Sequence, residues 1–310
     1  MIVTVTLNAA VDKTYTVENF ALDKVHRPSD EKTVAGGKGV NVARVLKELG
    51  REVIASGFAG GCNGKFILSS LEEEGIGHEF VHTVGESRLC IAVVDPARGT
   101  QTEVNESGAE VTYEEVQRLR EKLSRLMDGL DYLVLSGSAP PGVPDGFYAD
   151  IIREAQSNGV RVVLDSSGEH LRAGADAGPF MLKPNAAELS SLVGRELLTL
   201  EETLRAAKDL TRRGVKLVAV SMGRTGAMVT DGTRSYKASP PDIKFVSAVG
   251  SGDAFVAAFL HSLMNGGDLE DAVRLGTAAG AANAGAMGAG FCRKEDIENL
   301  VDGVVVTALA

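Results

Sequence analysis

The most informative chemistry in the sequence is a carboxylate placed directly behind two glycines. The run is Ala248-Val249-Gly250-Ser251-Gly252-Asp253-Ala254-Phe255, and an apolar stretch with helical spacing follows it. Glycines let an anion come close to the backbone, and the free N–H groups of a helix start bind it. Beside such a site, Asp253 suits the removal of a proton from an alcohol that attacks the anion. The same residues also suit a tight turn followed by an acid that complements the helix dipole. The motif alone does not choose between the two.

A second glycine cluster, Val34-Ala35-Gly36-Gly37-Lys38-Gly39-Val40-Asn41, also opens a helix. It is not a Walker A loop, because Val40 stands where that loop needs Ser or Thr. Such a turn can still hold a phosphate or a sugar with Lys38 as counter-charge, or be a glycine-rich helix entry and nothing more. In Lys183-Pro184-Asn185-Ala186-Ala187-Glu188, Asn185 and Glu188 lie three apart at a helix start. Both can face one point and offer hard oxygens to hydrated Mg²⁺, but taken alone the pair reads as an N-cap with its capping box. Ser221-Met222-Gly223-Arg224-Thr225-Gly226 follows a strand and is either a loop for nucleotide phosphates or a hairpin bend. Ser136-Gly137 ends a strand, where ligand-contacting loops of open α/β sheets belong. His78-Glu79-Phe80-Val81-His82 matches the zinc-protease string HExxH. That chemistry needs a helix, whereas glycines at 75, 77 and 85 bracket a segment that alternates like a surface strand.

These residues need elements to place them. Val42, Val45, Leu46 and Leu49 predict a helix over 41–49 that stops at Gly50, and Thr112 with Glu115 marks a capping box before another. Further helices are predicted over 145–157, 186–193, 201–213, 253–264 and 268–285. Strands are predicted over 2–7, 53–57, 132–136, 160–165 and 217–222. Strands separated by helices imply parallel crossovers, hence an α/β fold with a doubly wound, mostly parallel sheet. Residues 12–35 and 87–105 break the alternation and read as two-stranded ribbons. We therefore expect a core of 1–11, 36–86 and 106–310, with the two inserts forming a small β lid over the sheet's C-terminal edge.

Composition removes several classes of function. The chain has 310 residues, 44% hydrophobic and 24% charged, as expected of a globular protein. Its net charge of −10 lacks the basic footprint of a nucleic-acid binder. Three scattered cysteines, at 62, 90 and 292, make neither a disulfide framework nor a zinc pattern. No apolar run is long enough to span a membrane, and residues 1–6 do not read as a signal peptide, so a cytoplasmic location is expected. A dinucleotide-dependent dehydrogenase needs a glycine fingerprint after the first strand, and residues 7–12 contain no glycine.

Taken in order, Gly-Gly-Lys-Gly-x-Asn (36–41), Asn-x-x-Glu (185–188), Ser-x-Gly-x-x-Gly (221–226) and Gly-Ser-Gly-Asp (250–253) resemble the ribokinase-like (PfkB) carbohydrate kinases along essentially the whole chain. Within that family, Thr6-Leu7-Asn8-Ala9-Ala10-Val11-Asp12 and the segment 102–108 look like the 1-phosphofructokinase/tagatose-6-phosphate kinase branch, with Ala9 where that branch usually has Pro. The resemblance implies ATP-dependent phosphorylation of a sugar phosphate, with fructose 1-phosphate favoured, tagatose 6-phosphate or fructose 6-phosphate as the alternative acceptor, and a non-catalytic sugar-phosphate sensor as the remote alternative. It makes Asp253 the general base and the backbone of Gly250, Ser251 and Gly252 the anion hole. Asp12, Gly37 and Asn41 would bind sugar hydroxyls beside Ser136 and Gly137, and Lys38 and Arg88 the substrate's own phosphate. Lys183, Asn185, Ser221, Gly223, Gly226 and Asn283 would line ATP, while Asn185 and Glu188 hold Mg²⁺ mostly through water. A homodimer formed through the lid is also implied.

Overall fold

The structure is a computed structural model describing residues 1–310. From the N-terminus the elements are β1 (Ile2–Thr6), β2 (Ala10–Thr16), β3 (Asp30–Gly36), α1 (Lys38–Glu48), β4 (Val53–Gly60), α2 (Gly61–Glu73) and β5 (Gly77–Thr83). There follow β6 (Arg88–Asp95), β7 (Thr100–Asn105), α3 (Tyr113–Leu126), β8 (Tyr132–Ser136), α4 (Phe147–Ser157), β9 (Arg161–Asp165), α5 (Gly168–Asp176) and β10 (Met181–Leu182). The chain closes with α6 (Ala186–Val193), α7 (Leu200–Arg212), β11 (Leu217–Ser221), β12 (Ala227–Thr230), β13 (Ser235–Ser239), α8 (Ser251–Met264), α9 (Leu269–Ala284), α10 (Lys294–Val301) and β14 (Val305–Ala308).

Ten strands form the main sheet in the order β14-β13-β12-β11-β10-β9-β8-β1-β4-β5. From β5 to β11 the strands are parallel, and β12 to β14 add an antiparallel edge. The central strands are short Val/Leu runs buried on both faces, as a parallel sheet requires. In β8, Leu133 and Leu135 enter one core while Val134 enters the other. One core packs α1, α2, α8, α9 and α10 on the sheet, and the other packs α3 to α7. β1 lies between β4 and β8, so the chain winds outward from it in both directions. That reversal leaves a crevice at the C-terminal strand ends, where ligands of such sheets bind.

Several elements depart from the sequence expectation. Helix α2 hides behind Gly61 and Gly64, with only Ile67 and Leu71 as a spaced apolar pair facing the core. Gly64 is required there because a Cβ would come 2.8 Å from the Ala59 backbone. Helices α5 and α10 and the edge strands β12 to β14 are likewise absent from the predicted set. The HExxH string lies in β5 at the sheet edge, a strand and not a helix.

The smaller sheet has the order β3-β2-β6-β7. Two antiparallel ribbons, β2–β3 and β6–β7, join through a parallel β2–β6 pairing. The first ribbon runs from Ala10 to Gly36, slightly longer than the expected insert 12–35, and carries Asp12. Side-chain contacts from several elements bind this sheet to the core. Lys32 Nζ on β3 donates to the Met287 carbonyl at 2.7 Å and lies 3.8 Å from the centre of the Phe291 ring. Ser247 Oγ, before α8, donates to Gln101 Oε1 on β7 at 3.0 Å.

Candidate active site

Between the lid and the C-terminal strand ends lies a cleft of about 400 Å³. It draws Asp12, Gly37, Lys38, Asn41, Arg88, Lys183, Asn185, Glu188, Ser221, Gly250, Gly252 and Asp253 into one lining, although they span most of the chain.

Asp253 occupies the first turn of α8, which starts at Gly250 in the left-handed conformation (φ 83°) with no side-chain cap. A Cβ at Gly250 would press on Ala289 at 2.7 Å, so both backbone shape and space require glycine. The uncapped helix start leaves backbone donors for an anion. A Cβ at Gly252 would lie 3.3 Å from Lys183 Nζ, which places that ammonium beside the same opening. Asp253 is buried and accepts a hydrogen bond from Asn41 Nδ2 at 2.8 Å. Burial and the nearby Asp165 carboxylate push its pKa up to about 7, against the opposing pull of Lys38, Asn41 and Lys183.

Asp165 is a site residue that sequence reasoning missed. It stands at the C-terminal end of β9, fully buried, with Lys38 Nζ 2.9 Å from Oδ1 and Lys183 Nζ 3.1 Å from Oδ2. Burial opposes its ionisation, but the two ammonium groups hold its pKa below the ordinary carboxylate range. Its place on a predicted strand's C-terminal end was the available signal. For Lys38 the balance runs the same way: burial disfavours its charge, yet Asp165 and Asp253 raise its pKa.

At the other end of the cleft, Asp12 lies on Gly36, where a Cβ would fall within its carboxylate. Burial raises the Asp12 pKa, Arg88 and then Arg44 lower it, and Glu103 on β7 raises it again. Arg88 Nε donates to the Asn8 carbonyl at 3.1 Å and Nη1 to the Glu106 carbonyl at 3.2 Å, which aims the guanidinium into this end. Asn185 and Glu188 form a reciprocal capping box on α6. Asn185 Oδ1 accepts from the Glu188 backbone and Glu188 Oε2 from the Asn185 backbone, each at 2.8 Å.

Other expected site residues are placed elsewhere. The Lys38 ammonium is bound to Asp165, at the Asp253 end of the cleft and away from Arg88. Ser136 is buried at the C-terminal end of the central strand β8, and Gly137 packs behind Lys38 with its carbonyl accepting from Ser166 Oγ at 2.9 Å. Gly223 and Gly226 shape the hairpin between β11 and β12, outside the cleft lining. Asn283 is fully buried and committed to protein partners. Its Nδ2 donates to the Val249 carbonyl at 2.7 Å and its Oδ1 accepts from Gly290 N at 2.7 Å. Its amide therefore holds the loop before α8 in place. Ser251 likewise accepts from Asn283 Nδ2, at 3.3 Å, instead of lining the cleft with its side chain.

Residues 5–296 match the pfkB family carbohydrate kinase. The chain belongs to this family. Among pfkB relatives, a 1-phosphofructokinase of Borreliella burgdorferi is 35% identical over 97% of this chain and 96% of its own. A tagatose-6-phosphate kinase of Staphylococcus epidermidis is 38% identical over 92% of each chain. The crystal structure of phosphofructokinase-2 from Escherichia coli in complex with potassium superposes with a TM-score of 0.91 at 33% identity, covering 97% of this chain and 98% of that one. As a pfkB kinase the protein is an ATP-dependent sugar-phosphate phosphotransferase, and its α/β sheet with a separate small sheet is the ribokinase-like fold. No helix is long and apolar enough to cross a membrane.

Proposed function

We propose that this kinase transfers the γ-phosphoryl group of ATP to the free primary hydroxyl of fructose 1-phosphate, giving fructose 1,6-bisphosphate and ADP. The observation that carries the reading is the buried Asp253, placed at an uncapped helix start beside Lys183 and within hydrogen-bond reach of Asn41. Asp253 takes the proton of the attacking hydroxyl as the new O–P bond forms and the bond to the ADP oxygen breaks. The start of α8 and Lys183 stabilise charge on the group in flight, and Lys38, restrained by Asp165, adds to that field. Asp12 and Asn41 orient sugar hydroxyls, and Arg88 takes the substrate's own phosphate at the far end of the cleft.

The donor set also fits Mg²⁺. The α6 cap uses one Glu188 oxygen and leaves Oε1 free, a hard donor on the cleft wall. No group of three His, Cys, Asp or Glu side chains forms a cage, so Glu188 would hold the ion chiefly through water and nucleotide oxygens. The bound ion would neutralise the phosphate chain.

Tagatose 6-phosphate is the second acceptor to test, since a relative at 38% identity carries that kinase's name. ADP release with Mg-ATP against fructose 1-phosphate, tagatose 6-phosphate, fructose 6-phosphate and fructose decides between them. The highest kcat/KM is expected for fructose 1-phosphate. Silence on all four, with the protein folded and ATP bound, would overturn the assignment. The lid is also proposed to pair with that of a second copy. The exposed Leu22 and Val25 between β2 and β3 support this, and sedimentation of a Leu22→Asp, Val25→Asp variant tests it.

A further inference from the structure

The amide of Asn41 has two faces, and the structure fixes which one meets Asp253. Asn41 Oδ1 accepts from Arg44 Nη1 at 3.2 Å while Nδ2 donates to Asp253 Oδ2 at 2.8 Å. A guanidinium has donors and no acceptor. Were the amide reversed, its NH₂ would meet the Arg44 N–H groups, and its oxygen would meet the Asp253 carboxylate. Asp253 would then keep a hydrogen bond only by holding a proton itself. A donor favours the ionised acid and an acceptor favours the protonated one.

Arg44 is held too firmly to follow such a reversal. Its Nε and Nη2 bind the two oxygens of Glu74 at 2.6 and 2.9 Å. Nη2 also donates to the Ala35 carbonyl at 2.8 Å, and Nη1 to the Ala289 carbonyl at 3.0 Å. The Phe291 ring covers its Cζ at 4.3 Å from the ring centre. Arg44 is buried and lies outside the lining of the cleft.

We infer that Arg44, anchored by Glu74, is a positioning residue for phosphoryl transfer: it locks the Asn41 amide so that Asp253 meets a donor and stays able to accept a proton. The inference rests on Asp253 being the general base. The charged groups that face Asp253 are Asp165 at the end of β9, Lys38 at the start of α1 and Lys183 after β10. None of them is altered by a change at Arg44.

The test is the pH profile of kcat at saturating ATP and sugar phosphate. Arg44→Gln offers Asn41 both a donor and an acceptor, so at saturating substrates the acid limb should move up by about one pH unit with the plateau of kcat within about twofold. Arg44→Lys, which only donates, should keep the wild-type limb. In an Asn41→Leu background, Arg44→Gln should move the limb no further. An unmoved limb in Arg44→Gln, or an equal shift with Asn41 absent, overturns the inference. If Arg44→Gln does not fold, Asn41→Leu alone must raise the limb, and an unmoved limb there overturns it too. Asp253→Asn keeps the two readings apart. Retained turnover removes the base assignment itself, whereas an inactive Asp253→Asn beside an unmoved Arg44→Gln limb removes only the role of Arg44.

Discussion

At Asp253, burial and the Asp165 carboxylate keep a proton bound up to about pH 7, and the proposed base works only without it. Turnover should therefore fall as pH drops below about 7, and Asp253→Asn should lose at least ~10²-fold in kcat with ATP binding nearly intact. Stability should change in the opposite sense. The folded-state pKa lies above the ordinary 3.8, so native Asp253 costs stability as pH rises through that window to about 7. Asp253→Asn should melt higher than wild type at pH 8, by a margin that shrinks toward pH 4 in calorimetry. Asp165→Asn would strand two ammonium groups, and urea titration should register a loss of about 3–5 kcal/mol. The same change removes a negative neighbour from Asp253, so the acid limb of kcat should move down. Lys38→Met should lower kcat with little change in the sugar-phosphate KM, because its ammonium sits at the reacting end. A raised KM at unchanged kcat would return Lys38 to the substrate's phosphate.

At the scale of elements, the lid sheet touches the core through Lys32 on the Met287 carbonyl and Phe291, and through Gln101 on Ser247. Lys32→Met should loosen closure without touching Asp253, raising the sugar-phosphate KM and the rate at which ATP is hydrolysed with no sugar present. Equal hydrolysis rates in variant and wild type would deny Lys32 that part in closure. Elements with strong spacing or caps were legible in the sequence: α1 from its valines, α3 from Thr112 and Glu115, α6 from Asn185 and Glu188. Helix α2 was not, because Gly64 serves close contact with Ala59, Gly61 packs on Glu86, and together they hide the helical period. The site divided along the same line. Asp253, Asn41 and Lys183 sit inside short motifs and could be read directly. Asp165 and Lys38 meet across 127 residues, and Arg44 and Glu74 across 30, separations no local pattern encodes. Asn283 shows the converse: its motif position suggested a ligand contact, yet packing spent its amide on the loop before α8.

Over the whole molecule, the ends of β9, β10 and β11 meet the lid strands and the start of α8 in one cleft above the point where winding reverses. The four-stranded sheet obeys a different logic, since its central pairing sets Ala10 opposite Arg88 and Thr16 opposite Val94. Each partner is 78 residues from the other, and α1, β4, α2 and β5 must be built before they can meet. Non-local parallel pairing of this kind is slow, because the chain entropy of closing the loop comes before any contact rewards it. The lid is therefore not a module that folds by itself, and it should mature after the β8 to β11 half of the main sheet, whose strands pair over much shorter separations. In pulse-labelled hydrogen exchange during refolding, amides of Val163 and Val218 should gain protection before those of Lys13 and Ala92. A nascent kinase would accordingly own a finished nucleotide floor while its sugar roof is still unmade, and each molecule would pass through a brief, leaky youth.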